Sequence, residues 1–116
     1  MKEITWVGSS KGRLSQFPKA ARQEGGRQLR RVQQGLQPKD WKSMPDVGPG
    51  VIEIRIHEPH EHRIFYVVAF SEGIYVLHAF EKKTQQARRH DLNIGRRNYA
   101  YIKKGRKNAR KINRQA

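Results

Sequence analysis

The chain contains no cysteine, only 10 acidic residues among 116, and no apolar run long enough to cross a membrane. Without cysteine it cannot form disulfides, use a catalytic thiolate or bind zinc through sulfur. A membrane-spanning helix needs about 20 consecutive apolar residues, so we expect no membrane span, and a membrane is not among the partners that we finally expect. Residues 1–6 lack the apolar stretch of a secretion signal. We therefore expect a cytoplasmic protein with a single folded domain.

Basic residues, in contrast, are abundant. The 25 Lys and Arg residues give a formal net charge of +15 and an isoelectric point of about 10.8. A field of this sign attracts polyanions to the protein surface. Nucleic acid is the leading candidate partner, ahead of an anionic membrane and of an acidic protein segment. Charge alone does not distinguish a binding protein from an enzyme.

The excess of positive charge is largest near the C-terminus, where residues 92–116 carry nine Lys and Arg residues and no acid. Residues 103–116 have few apolar side chains, too few to offset the entropy lost on ordering. We predict a domain of residues 1–102 and a basic tail, either a frayed helix end or a mobile segment. The tail either only aids solubility or contacts RNA, with Lys103, Lys104 and Arg106 as the candidate contacts.

Hydrophobic periodicity and turn residues predict the element order β-α-α-β-β-β-α. The expected elements are a strand at 4–7, helices at 10–17 and 18–34, strands at 51–57, 63–70 and 73–80, and a helix at 91–104. Residues 36–50 are expected to form a long loop. Gly25 lies on the apolar stripe of the second helix, so we expect either close packing there or a bend. The prediction is a small α+β domain with an antiparallel sheet and its helices on one side.

The first strand of the predicted meander alternates between apolar and polar residues. Ile54 and its isoleucine neighbours face one way, whereas Glu53 and Arg55 face the other. Since successive strand residues point to opposite faces, one face of the sheet is predicted to be core and the other wet.

Basic and aromatic residues from three neighbouring strands are predicted to share that wet face. They are Arg55, Arg63, His78 and Phe80, with Lys82 and Lys83 at the end of the third strand. Arginine and lysine would hold a phosphate, a base would stack on Phe80, and His78 would move a proton. The alternative for His78 is a hydrogen-bonded histidine in the core, which is the commoner situation for a single histidine among apolar residues.

Three histidines lie close together in the sequence, at positions 57, 60 and 62. Their spacing lacks the helical carboxylate or thiolate partners of strong metal motifs. We favour a solvated loop over a metal site, and we expect no metal and no small-molecule cofactor.

The segments GVIEIR (50–55), RIFYVV (63–68) and IYVLHAFEKKT (74–84) resemble conserved blocks of the phage-derived, HigB-like branch of the RelE/ParE toxin superfamily. The pattern L-H-x-F-x-K-K in the third segment is the most specific element. The resemblance covers roughly residues 4–102. It implies a RelE-like fold and a toxin of a type II toxin–antitoxin module.

For most members of that superfamily the resemblance implies a metal-independent mRNA endonuclease that acts in the ribosomal A site. The 2′-OH of the RNA attacks the adjacent phosphate and leaves a 2′,3′-cyclic phosphate. The implied partners are mRNA, the 70S ribosome and a cognate helix-turn-helix antitoxin whose acidic segment covers the basic patch. Two alternatives remain open: a gyrase poison of the ParE type on the same fold, and a non-enzymatic basic protein that binds nucleic acid.

Carried over by position, the resemblance implies that Arg55 and Arg63 bind the scissile phosphate. Lys82 would stabilise charge there, Lys83 would contact the RNA backbone, and His78 is characteristic of the branch. The sequence departs from the family pattern after Thr84. It has no clear catalytic residue beyond the last strand, so the general base is not identified.

Overall fold

The computed structural model describes the backbone of residues 1–69 and 73–115, and the side chains of these ranges other than residues 85–87 and 106–115. The elements in chain order are β1 (Glu3–Trp6), α1 (Ser10–Ser15), α2 (Lys19–Gln33), β2 (Trp41–Ser43), β3 (Ile52–Ile56), β4 (His62–Ala69), β5 (Gly73–Glu81) and α3 (Gln85–Gln115). The α+β class is confirmed, and the predicted order is correct apart from one added strand. That strand, β2, lies in the segment expected to be a loop.

The strands form one sheet in the order β1-β5-β4-β3-β2. The predicted antiparallel meander of β3, β4 and β5 is confirmed. β1 runs parallel to β5, with Glu3 opposite Gly73 and Trp6 opposite Val76. The sheet is therefore mixed rather than purely antiparallel, because the first strand pairs with the last one. Local periodicity carries no information about such a distant pairing.

Helices α1 and α2 cover one face of the sheet. Their buried residues Leu14, Phe17 and Leu29 belong to the same apolar cluster as Ile64 and Val76. α2 approaches the sheet closely at Gly25, where an added Cβ would lie 3.0 Å from Ile64 Cδ1 and 3.1 Å from Leu14 Cδ1. The close packing expected at this glycine is confirmed.

Helix α3 covers the opposite face, which corrects the expectation that all helices lie on one side. Its packing residues are Leu92, Tyr99 and Ile102, which contact a second buried cluster that contains Phe65, Val67 and Leu77. β4 is buried along most of both faces, and a strand of that kind needs cover on each side. The face predicted to be wet is therefore partly covered.

Helix α3 begins before and ends after the predicted helix of residues 91–104. The backbone of residues 103–115 continues this helix. The division into a domain of residues 1–102 and a tail stays a prediction. Within the described ranges, no helix has the length and apolar character that crossing a membrane requires.

We predict that Gly25→Val lowers the free energy of unfolding by about 1–3 kcal/mol, because the new side chain overpacks the contact between α2 and the sheet. Gly26→Val is the matched control, since an added Cβ at Gly26 meets no atom within 4 Å. Urea denaturation followed by circular dichroism would measure both. Equal stabilities of the two variants would contradict the close approach at Gly25.

Candidate functional site

A buried carboxylate organises the cations on the face of the sheet that α3 partly covers. Arg55 on β3 and Arg63 on β4 are direct cross-strand partners, an arrangement that like charges oppose. Glu53, two residues before Arg55, points to the same face and is fully buried. Its carboxylate lies beside both guanidinium groups and compensates their repulsion.

Three arginines surround that carboxylate. Arg88 Nη1 donates to Glu53 Oε2 at 2.6 Å, and Arg55 Nε donates to Oε1 at 3.4 Å. Arg63 Nε lies 3.7 Å from Oε1, within ion-pair distance but beyond a hydrogen bond. We call Arg55, Arg63, Arg88 and Glu53 the arginine cluster. Three positive groups against one negative group leave it with a surplus of positive charge.

The three guanidinium groups differ in accessibility. The Arg55 side chain is 33% exposed and that of Arg88 is 13% exposed. The Arg63 side chain is only 5% exposed, and its Nη2 donates to Glu61 Oε1 at 2.8 Å. An incoming anion would therefore meet Arg55 first. It would reach Arg63 by replacing the Glu61 carboxylate.

Lys82 lies beside the arginine cluster. Its backbone N–H donates to the Glu61 carbonyl oxygen at 2.7 Å. Burial and the neighbouring charges of Arg88 and Arg63 lower the pKa of its ammonium group. A lysine in this position is a stronger acid than an exposed lysine, and it gains stability from a bound anion.

His78 is 1% exposed. Its Nε2 lies 2.8 Å from Oδ1 of Asp91 on α3, and its ring stacks on Phe80 at a centroid distance of 5.1 Å. This geometry matches a hydrogen-bonded core histidine. A substrate would reach the imidazole only if α3 moved, and a catalytic role for His78 stays a prediction.

The predicted RNA contacts differ in exposure. Phe80 is 6% exposed and packs against Phe65, so base stacking on it would require the core to open. Lys83, Lys103 and Lys104 are exposed. The side chain of Arg106 lies outside the described residues.

The three histidines near the turn after β3 are dispersed rather than gathered. His57 contacts Asp40 through Nε2 and Glu61 through Nδ1, at 2.9 Å from Oε2. His60 is exposed, whereas His62 is fully buried. In the part of the chain that the structure describes, no group of three or more potential ligands is arranged to hold a metal ion.

His57 is connected to the arginine cluster through Glu61. The carboxylates of Asp40 and Glu61 raise the pKa of His57. The hydrogen bond from Arg63, followed by that from His57, lowers the pKa of Glu61. The contacts thus run from Asp40 through His57 and Glu61 to Arg63, and they tie the segment before β2 to the cluster.

Sequence reasoning missed Glu53 and Arg88 as members of the site. Glu53 and Arg55 lie two residues apart and therefore on the same face of their strand. This spacing could have indicated that the two side chains share an environment. Arg88 precedes the helix start that periodicity predicted, so nothing placed its side chain near the sheet. Arg55, Arg63 and Lys82 are brought together as expected.

Comparison with known proteins identifies the family. The model of the phage-derived Gp49-like protein family matches residues 13–100, well over half of the chain. The chain therefore belongs to this family, which is a RelE/ParE-like toxin family found in toxin–antitoxin context. No curated protein and no solved structure is significantly similar to the chain.

We predict that Glu53→Gln lowers the free energy of unfolding by about 2–4 kcal/mol, because it leaves partly buried guanidinium groups without their counter-charge. Glu24→Gln, which removes a carboxylate from an exposed pair with Arg27, should cost less than about 1 kcal/mol. Urea denaturation of both variants gives the comparison. A cost for Glu53→Gln no larger than that for Glu24→Gln would show that the buried carboxylate does not hold the cluster together.

We also predict a pH-dependent stabilisation by His57. Because its pKa is raised in the folded state, this stabilisation is complete below the unfolded value of 6.5 and is lost as pH rises through the folded pKa. His57→Gln should lower stability at about pH 6 by less than about 1 kcal/mol and by less still at about pH 9. Thermal denaturation at the two pH values measures this, with His60→Gln as the control. A constant difference between wild type and His57→Gln would rule out titration of His57 as the cause.

Proposed function

We propose that this Gp49-like protein is the toxin of a type II toxin–antitoxin module, of the HigB-like kind, and that it cleaves mRNA on the ribosome without a metal ion. The observation that carries the proposal is the arginine cluster beside Lys82. Preorganised cations at one end of a sheet suit a phosphodiester substrate, since arginine binds phosphate through paired N–H groups.

The reaction would begin with binding of the scissile phosphate. Arg55 is the most exposed guanidinium group of the cluster and would contact the phosphate first. The phosphate would then replace the Glu61 carboxylate on Arg63 Nη2. Glu53 would stay in place and act as a positioning residue, because its buried carboxylate holds the three guanidinium groups in position.

In the chemical step the ribose 2′-OH gives up its proton to water, the 2′-oxygen attacks the phosphorus, and the bond from phosphorus to the 5′-oxygen breaks. The products are a 2′,3′-cyclic phosphate and a free 5′-OH. The phosphorane transition state carries two negative charges, and fixed cations stabilise it more than they stabilise the substrate. Lys82 is our candidate proton donor to the leaving 5′-oxygen, because its lowered pKa makes it a stronger general acid.

The partners that belong to this function are mRNA, the 70S ribosome and a helix-turn-helix antitoxin in the cytoplasm. The high net charge of +15 would supply affinity for ribosomal RNA through release of counterions. An acidic segment of the antitoxin would compete with RNA for the arginine cluster.

A non-enzymatic nucleic-acid-binding protein is the second candidate. One observation favours it: Arg63 is 5% exposed and already paired with Glu61, as in a purely structural ion-pair network. Such a protein would bind RNA with a steep salt dependence but would leave transcripts intact.

The proposal predicts that Arg55→Gln lowers the rate of mRNA cleavage by about 10²–10³-fold, because the transition state loses one charged donor. Lys82→Met should also reduce cleavage, whereas Lys42→Met, which removes an exposed lysine from β2, should not. Primer extension on transcripts incubated with ribosomes and purified protein would measure the rates and the codon phase of the cuts.

Three outcomes would contradict the proposal. Intact transcripts together with a DNA-damage response on expression would indicate a gyrase poison. Intact transcripts, harmless expression and salt-dependent RNA binding would indicate the non-enzymatic protein. Undiminished cleavage by Arg55→Gln and Lys82→Met would place the active site elsewhere.

A further inference from the structure

Arg63 presents a pair of donors of which only one is satisfied. In a guanidinium group the Nε–H and the adjacent Nη2–H point the same way, and together they bind two oxygens of a carboxylate or a phosphate. Arg63 Nη2 donates to Glu61 Oε1 at 2.8 Å. Arg63 Nε is buried and has no hydrogen-bond partner within the described residues, since Glu53 Oε1 is 3.7 Å away. A phosphate would satisfy both donors, and a buried donor without a partner is unfavourable.

The Glu61 side chain is free to move away from Arg63. It is 41% exposed, whereas the side chain of Arg63 is 5% exposed. The Glu61 carbonyl oxygen accepts the backbone N–H of Lys82 at 2.7 Å, which fixes the main chain at this point. Displacement of the carboxylate from Arg63 is therefore a rotation of one side chain, and it leaves the strand pairing intact.

A second partner keeps the Glu61 carboxylate charged and close by. Glu61 Oε2 lies 2.9 Å from His57 Nδ1, and His57 is itself in contact with Asp40. The hydrogen bonds from Arg63 and His57 lower the pKa of Glu61, so its carboxylate is ionised at neutral pH. After leaving Arg63 the carboxylate retains His57 as a partner, and the cost of its displacement stays moderate.

We propose that Glu61 is an internal competitor, an anion of the chain itself that occupies the phosphate-binding donors of Arg63 and lowers the affinity of the arginine cluster for RNA. This rests on the proposed function, since it takes the cluster as the site of the scissile phosphate. An incoming phosphate gains both Nε and Nη2 of Arg63, but it must first displace the carboxylate of Glu61 and overcome the repulsion of its charge.

The competition favours RNA that is already held against the protein. Glu61 lies two residues before Arg63, so it competes within the molecule, at an effective concentration that free phosphodiesters in solution do not reach. An mRNA that the ribosome holds beside the arginine cluster competes on equal terms. Glu61 thus disfavours binding of RNA that is free in solution.

The test measures binding of a fluorescein-labelled, non-cleavable 2′-O-methyl pentauridylate to the full chain, by fluorescence anisotropy at one salt concentration. Glu61→Gln keeps the shape of the side chain but removes its charge, and it should bind roughly fivefold to tenfold more tightly than wild type. Glu58→Gln is the matched control. It removes the same charge from an exposed position three residues earlier and should change the affinity by less than about twofold.

A third variant separates occupation of Arg63 from repulsion at a distance. Glu61→Asp withdraws the carboxylate from Arg63 Nη2 but keeps its charge, so it should also bind the oligonucleotide more tightly than wild type. An affinity equal to that of wild type would indicate that only the charge of Glu61 matters, and it would overturn the inference.

Two further results would overturn the inference alone. They are equal gains in Glu61→Gln and Glu58→Gln, and weaker binding by Glu61→Gln, which would show that Glu61 positions Arg63 instead of competing with RNA. Tighter binding by Glu61→Gln, together with intact transcripts in the ribosome assay, would support the inference and contradict the proposed cleavage. Failure of wild type and all variants to bind the oligonucleotide would contradict both.

Discussion

Arg55 and Arg63 face each other across β3 and β4, and the arrangement depends on the carboxylate of Glu53. Two guanidinium groups in direct cross-strand contact repel each other, and Arg88 adds a third from α3. A single buried acid in contact distance of all three converts this repulsion into a fixed geometry. The same ion pairs attach the start of α3 to the sheet. The ion pairs that form the site are thus also the ones that hold the start of α3 against that face of the sheet.

The division of the sheet face into an apolar and a charged part follows from where α3 lies. Leu92, Tyr99 and Ile102 bury the part toward Val67 and Leu77, whereas the cations gather toward the turn that joins β3 and β4. The low polarity of the apolar part strengthens the charge interactions in the neighbouring charged part. A cation site at the margin of a core therefore holds an anion more firmly than the same residues on an open surface would.

Much of the fold could be predicted from the sequence, because the signals were local. The alternation around Ile54 predicted β3, and the apolar stripe through Gly25 and Leu29 predicted α2. The parallel pairing of β1 with β5 could not be predicted, since nothing in residues 3–6 specifies a partner so distant. The covering of both sheet faces was implicit in the apolar strand β4, but only the three-dimensional arrangement shows which helix covers which face.

The site was predictable in part for the same reason. Arg55, Arg63 and Lys82 follow from strand alternation and from a family resemblance, both of which are readable along the chain. Glu53 and Arg88 meet across 35 residues, and His78 meets Asp91 across a helix start that periodicity placed too late. Ion pairs between elements have no sequence period, so they emerge only when the elements are assembled.

The pairing of the first strand with the last one has a consequence for synthesis of the protein. Glu3 is held beside Gly73, so the loop between them must close before β1 has a neighbour, and such non-local contacts form slowly. Arg88 comes later still in the chain. A nascent polypeptide therefore lacks both the complete sheet and the complete cation site until most of its length has left the ribosome. The order of translation therefore makes the charged site one of the last features of the fold to form.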